Sequence, residues 1–386
     1  MKFGIYVHIP FCSKRCSYCD FAVRTKFNSS SLEDYTHSLI KEIQHRGPQV
    51  GYTRLHSLYF GGGTPSLLPL VQLEKIILAL KAVPFVIDSQ TEITIEINPE
   101  SFSKEKLVQY QNLGINRFSV GVQSFQPSLL KVCNREHSVN DNHNSIALLQ
   151  GLNFSLDWLF GLPTQSSALF SKDADLFIQS GAPHISPYLL TLQEFHPMNK
   201  NRPPEGEQVT MLNAIRTRLL KNNFQQYEIS NFAKPGFCSQ HNQLYWADQA
   251  YWGIGLSAHS YFPAQGAWGA RAWNSSSLAA YQKEVKQEQH KSLLDYYPRK
   301  KVEVLSKKES LQDFCYTHLR TSFGLSEEKL LQKFGKNSLL MVKQQLASFV
   351  EEKQILHKKK TWLLTPQGIN ISNNIFLKLS LLTDKN

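Results

Sequence analysis

The chain has no run of 18 consecutive apolar residues, the length a helix needs to cross a bilayer core, so a membrane span is not expected. Its first twelve residues carry an early Lys2 but no long apolar stretch and no small-residue cleavage site. A secretory signal is therefore not expected and a cytoplasmic location is. Cysteine is scarce: six in 386 residues cannot make a disulfide scaffold. Charged residues make up only 19% and apolar residues 41%, which excludes a disordered chain and supplies a sizeable core. Acidic side chains are in deficit, 31 against 42 basic ones for a net charge of +11. That balance points to an anionic partner: nucleic acid, a membrane surface, or a ligand bearing carboxylates or phosphates. There is no internal repeat and no long low-complexity tract, and the length favours two domains.

Short apolar, β-branched or aromatic runs alternate with helix-spaced segments. Strands are predicted at Lys2–Ile9, Ser57–Phe60, Thr91–Ile97, Arg117–Val122, Phe154–Phe160 and His184–Leu190. The helical spacings fall at Leu32–Arg46, Leu70–Lys81, Lys104–Leu113, Asn140–Gln150, Ala168–Gln179 and Glu207–Lys221. Six strand–helix units in succession predict a parallel α/β architecture over residues 1–230, either an open sheet or a partial barrel. A full barrel would need eight units. Ligands of such a fold sit at the C-terminal strand ends. Residues 231–300 show no clear period and read as a connecting segment. Residues 301–386 hold two helical stretches, Leu311–Phe323 and Ser338–Lys353, then a hairpin Ile355–Thr365 around Lys358-Lys359-Lys360. That order predicts a small winged-helix-like α+β domain.

Three of the cysteines, Cys12, Cys16 and Cys19, crowd a loop after the first strand with C-x3-C-x2-C spacing. Three thiolates so placed can surround one inorganic centre in a reducing compartment. Zinc would need a fourth ligand; His8 is the near candidate, but it lies inside the strand. A [4Fe–4S] cube on three cysteines leaves one iron open to a small-molecule ligand. Gly61-Gly62-Gly63-Thr64-Pro65-Ser66 follows the second strand. It is either a tight turn or a backbone surface that a ligand approaches closely. Glu96 and Gln123 close the third and fourth strands, Asp157 lies on the fifth, and Arg135 follows twelve positions after Gln123. Each taken singly is as well explained as a structural residue at a sheet edge. A carboxylate suits hydroxyls or ammonium, and arginine is the natural fork for a carboxylate.

The string Tyr6-Val-His-Ile-Pro-Phe-Cys12-Ser-Lys-Arg-Cys16-Ser-Tyr-Cys19 resembles the radical S-adenosylmethionine (SAM) superfamily. Its flanks are most similar to the branch of oxygen-independent coproporphyrinogen III oxidases and HemW-type heme chaperones. The resemblance runs from Tyr6 to at least Ser260. It implies a partial (β/α)6 barrel and a [4Fe–4S] cluster on Cys12, Cys16 and Cys19. It also implies exchangeable SAM on the open iron, where cleavage yields a 5′-deoxyadenosyl radical. The implied SAM contacts are Tyr6, Tyr18, Gly62, Gly63, Thr64, Glu96, Gln123, Arg135 and Asp157.

Two departures separate the chain from the oxidase pattern. The oxidase has a further cysteine two residues after the third, where this chain has Phe21, and it has an N-terminal extension before the segment matching Tyr6. His241-Asn242-Gln243-Leu244-Tyr245-Trp246 resembles the heme-binding string of the chaperone branch, which implies His241 as heme ligand. Read from the residues alone, His241 is equally a loop histidine among core aromatics. Cys238 and His259 are secondary candidates for the ligand site. The leading expectation is a heme chaperone delivering heme to an acceptor protein, with a membrane-associated acceptor in keeping with the basic runs at Arg299–Lys301, Lys307-Lys308 and Lys358–Lys360. The alternative is coproporphyrinogen III oxidative decarboxylation. A nucleic-acid-modifying enzyme ranks last, because no RNA-binding module is recognisable, and no nucleic-acid partner is expected.

Overall fold

Phe3–Ile9 (β1) is buried at every position but Tyr6, the pattern of a central parallel strand covered on both faces. It pairs in parallel with Ser57–Gly62 (β2), and the ladder continues through Glu92–Ile97 (β3), Arg117–Gln123 (β4), Phe154–Phe160 (β5) and His184–Leu189 (β6). In this computed structural model residues 1–286 and 292–381 are described. The crossovers contain helices Ser29–Arg46 (α1), Leu70–Ala82 (α2), Lys104–Asn112 (α3), Pro127–Val132 (α4), Val139–Leu149 (α5) and Ser167–Gln179 (α6). Each strand falls within two residues of its sequence-predicted position, because the apolar runs are flanked by turn residues that end them.

Glu205–Lys221 (α7) leads to the short strands Gln225–Glu228 (β7) and Asn231–Ala233 (β8), which extend the sheet beyond β6. At the opposite edge Ala250–Ile254 (β9) runs parallel to β1. His259–Phe262 (β10), Ala270–Trp273 (β11) and Val302–Val304 (β12) follow it antiparallel. The result is one sheet of twelve strands in the order β12-β11-β10-β9-β1-β2-β3-β4-β5-β6-β8-β7. Residues 231–300 are thus no mere connector: with helices Gln240–Trp246 (α8) and Leu278–Glu284 (α9) they build one wing of the sheet. Strands of three to five residues are too short to show a period, which is why the sequence did not reveal them. Part of the polar stretch expected between Ser275 and Lys301, residues 287–291, lies outside the described residues.

A buried pair ties this wing to α1. Glu42 accepts from Arg46 at 2.7 Å, Asn274 at 2.8 Å, Tyr281 at 2.6 Å and the Gly255 amide at 2.9 Å. The remaining segment packs its own core around Phe314, Leu330, Val342 and Trp362. It comprises Lys307–Leu319 (α10), Leu325–Ser326 (β13), Glu327–Glu351 (α11), the hairpin Ile355–Lys358 (β14) and Thr361–Leu364 (β15), then Pro366–Asn370 (α12) and Ser372–Ser380 (α13). Lys359 and Lys360 both take positive φ in the hairpin turn, as a two-residue primed turn requires. The expected helix–helix–hairpin order is present. The domain docks on the barrel through Arg320, which pairs with Glu228 at 2.9 Å and lies 3.7 Å over the Trp246 ring. Among the described residues no helix is long and apolar enough to cross a membrane.

Candidate functional site

The parallel strands β2 to β6 line a cavity of about 500 Å³ that opens at their C-terminal ends. Strand alternation decides what lines it. Arg117, Ser119, Gly121 and Gln123 share the inner face of β4, as do Ser155, Asp157 and Leu159 on β5, because side chains two apart point the same way.

The cysteine loop covers the mouth. Cys12, Cys16 and Cys19 are free thiols that all line the cavity. The loop is held by backbone bonds from Cys12 N to Arg24 O at 3.0 Å and from Ser17 N to Cys133 O at 3.1 Å. Two thiols receive donors: Thr64 Oγ1 lies 3.6 Å from Cys12 Sγ, and Arg135 Nη1 lies 3.4 Å from Cys16 Sγ. His8, the candidate fourth zinc ligand, has both ring nitrogens engaged, by Tyr6 and by Ala22 O, each at 3.1 Å. Among the described residues no group of three or more His, Cys, Asp or Glu is gathered as a metal site. The candidate donors are thus three free thiols that share the cavity mouth.

The glycine triplet passes directly beneath this loop. A Cβ on Gly63 would lie 2.7 Å from Phe11 O and 2.9 Å from Cys12 Sγ. Gly62 has φ of 116°, which only glycine adopts freely. Its amide donates to Glu96 Oε2 at 3.0 Å, while Tyr59 donates to Oε1 at 2.9 Å. Burial, then the nearby Asp157, pushes Glu96 up to about 7. Burial likewise raises Asp157 to about 6, against the opposing pull of Arg117, Ser186 and Ser119. Gln123 closes β4 in a left-handed conformation at φ 62°, beside a register shift, a strained placement for a residue with a side chain. Arg135 is clamped from several sides: Nη2 donates to Asn98 Oδ1 at 2.8 Å and Gly121 O at 3.0 Å, and Nε to His137 at 3.3 Å.

Tyr18, Gly62, Gly63, Thr64, Glu96, Gln123, Arg135 and Asp157 thus line one cavity with the three cysteines. Two expected residues do not. Tyr6 lies behind the wall, its ring stacked 6.0 Å from that of Tyr59. His241 lies below the cavity and is only 1% exposed. Its Nδ1 is 2.8 Å from Ser57 Oγ, its Nε2 is 2.8 Å from Tyr245 OH, and its ring stacks 5.0 Å from Tyr59. Burial, then Arg117, lowers it to about 3. In this arrangement neither nitrogen is free for a heme iron, because α8 turns the histidine into the barrel. Glu92 fixes that orientation by accepting the Gln240 and His241 amides at 3.0 Å each. His259 stacks on Trp273 at 5.6 Å instead of facing the cavity, and Cys238 does not line it either.

Among the lining residues that the sequence reading missed are Arg117, Asn98, Tyr188 and Asn242. The alternating Arg-x-Ser-x-Gly-x-Gln of β4 carried a readable signal for the first.

The chain matches the family model of the radical SAM superfamily over residues 6–177. It is 32% identical to the heme chaperone HemW of Lactococcus lactis, over 97% of each chain. It is 35% identical to the HemW of Escherichia coli, over 66% of this chain and 69% of that one. Among solved structures, the coproporphyrinogen III oxidase HemN of Escherichia coli, described as a radical SAM enzyme, superposes with a TM-score of 0.83. It covers 98% of this chain and 90% of that one at 20% identity, a likeness of fold.

Proposed function

Because the chain belongs to the radical SAM superfamily, and within it to the family of the HemW heme chaperones, we propose that it binds heme and passes it to an acceptor protein. The proposal includes a [4Fe–4S] cluster on Cys12, Cys16 and Cys19 with SAM as its exchangeable ligand. The observation that carries the cluster part is the donor set at the cavity mouth: three free thiols, with Thr64 and Arg135 donating to two of the sulfurs. When bound, such a cluster supplies a low-potential electron and a vacant iron. The chain's own residues would do the rest. Arg135 offers a guanidinium to a carboxylate, Glu96 and Asp157 offer carboxylates to ammonium or hydroxyl groups, and Gly62 and Gly63 let the ligand approach the backbone.

Heme delivery rests on family membership over the whole chain. A second feature supports it: Phe21 is 64% exposed at the cavity mouth, beside Lys14 and Arg15. An apolar ring flanked by cations suits a flat apolar dianion. In the proposal His241 serves as the axial ligand only once Ser57 and Tyr245 release it.

Anaerobically reconstituted protein should contain about four irons and four sulfides per chain, and its spectrum should change on adding SAM. Hemin titration should give a saturable Soret band. Conversion of coproporphyrinogen III to protoporphyrinogen with SAM and a reductant would favour the oxidase reading instead, which at present has only the likeness of fold.

A further inference from the structure

We propose that Arg117 is the receptor for a carboxylate group at the floor of the barrel cavity. Arg117 is the first residue of β4, six positions and about 20 Å of extended chain from Gln123 at the mouth. Its side chain lines the cavity, yet the residue is only 2% exposed. Its Nε is buried without a hydrogen-bond partner, and no described residue forms an ion pair with its guanidinium. The other buried arginines differ. Arg46 is paired with Glu42 and bonded to Asn274, and Arg216, though without an ion pair among the described residues, is bonded to Gln226 and Asn213. A buried cation is costly unless a counter-charge and hydrogen bonds compensate it, and here the protein supplies no hydrogen bond to Nε and no contact ion pair, only the field of Asp157.

The surroundings select the ligand class. Ser155, Ser186 and Asn242 line the same floor and add hydroxyl and amide groups around a planar fork that matches a carboxylate bidentately. Asp157 stands level with Ser186 on the adjacent strand, and Glu96 lines the wall as well; their charge penalises a dianion more than a monoanion. A carboxylate on a short aliphatic arm therefore fits better than a phosphate. The helix α8 closes the floor through Asn242, so the arm enters from the cysteine end, ahead of whatever fills the upper cavity.

The test is calorimetric titration of the full-length, cluster-reconstituted protein with propionate under anaerobic conditions, with inorganic phosphate as competitor. Saturable binding to the wild type, weakened at least tenfold in Arg117→Met and partly restored in Arg117→Lys, is the expected result. Arg117→Met should melt at the same temperature or higher, since it removes a buried charge that has no contact ion pair. Equal binding to wild type and Arg117→Met overturns the proposal. So does displacement of propionate by phosphate at lower concentration, or a lower melting temperature for Arg117→Met, which would make the guanidinium a structural element. Hemin plays no part in the measurement, so its failure leaves the heme reading standing.

Discussion

Ser57 on β2 holds His241 on α8: their side chains meet at 2.8 Å across a separation of 184 residues, and Tyr245 closes on the other ring nitrogen at the same distance. The histidine expected to present itself to heme is instead stacked in the barrel wall. Its substitution therefore tests two things at once. His241→Ala is expected to cost about 2–4 kcal/mol of stability by removing a buried ring and its bonds, and to weaken hemin binding. Ser57→Ala, which removes one restraint and leaves the ring, is expected to tighten hemin binding in an absorbance titration. An unchanged affinity in Ser57→Ala would exclude His241 as the ligand.

The three mouth cysteines should behave differently from the fourth nearby. Cys12→Ser, Cys16→Ser and Cys19→Ser are each expected to abolish the iron and sulfide content of reconstituted protein. Cys133, wholly buried against Leu129 and Leu162, is expected to tolerate Ser with full iron content. Iron loss in Cys133→Ser matching that of the other three would contradict the assignment.

The paired acids predict a pH dependence. Glu96 at about 7 and Asp157 at about 6 lie above their ordinary values, so the folded protein holds these protons more tightly than the unfolded chain. Their contribution to stability is full at low pH and is lost as pH rises through about 6 and then 7. A cationic ligand reverses the preference, because it needs the ionised forms. SAM affinity measured by equilibrium dialysis should therefore rise from pH 5.5 to pH 8, by roughly tenfold per unit where one acid is titrating. Glu96→Gln should be weaker throughout and flatter above about pH 6. A wild-type affinity independent of pH would refute the role of these carboxyls.

Gly63→Ala places a methyl group against Phe11 O and Cys12 Sγ. Overpacking of this kind costs about 1–3 kcal/mol, and here the cysteine loop must move. Lower cluster occupancy after reconstitution is expected, read as iron per chain. Gly206→Ala meets nothing within 4 Å and lies off the site; it should keep its iron.

The Glu42–Arg46 pair should matter for folding alone. Glu42→Ala leaves Arg46, Asn274, Tyr281 and the Gly255 amide without their shared acceptor. The expected loss is about 3–5 kcal/mol in denaturant unfolding. A change below 1 kcal/mol would show that water replaces the carboxylate.

The order of β1 to β6 was legible because each strand is a short apolar run ended by turn residues, a signal local in sequence. The cysteine trio and the glycine triplet were legible for the same reason, since spacing along a loop largely fixes spacing in space. Arg117 was half legible: its place on an inner face follows from alternation with Ser119, Gly121 and Gln123. Its lack of a contact ion pair does not follow, because only the packing of β5, β6 and α8 around it decides that Asp157 acts on it without pairing.

The sequence by itself determined the barrel strands, the three-thiol loop and the superfamily, all of them carried by residues near one another in the chain. Tertiary structure alone decided that β9 to β12 complete the sheet, that Glu42 and Arg46 anchor that wing, and that His241 faces inward. Each of these depends on contacts across more than a hundred residues, such as Glu92 with the α8 amides and Ser57 with the imidazole. A string of letters records which groups exist; a buried ring's direction is set by the partners that reach it after the sheet has formed.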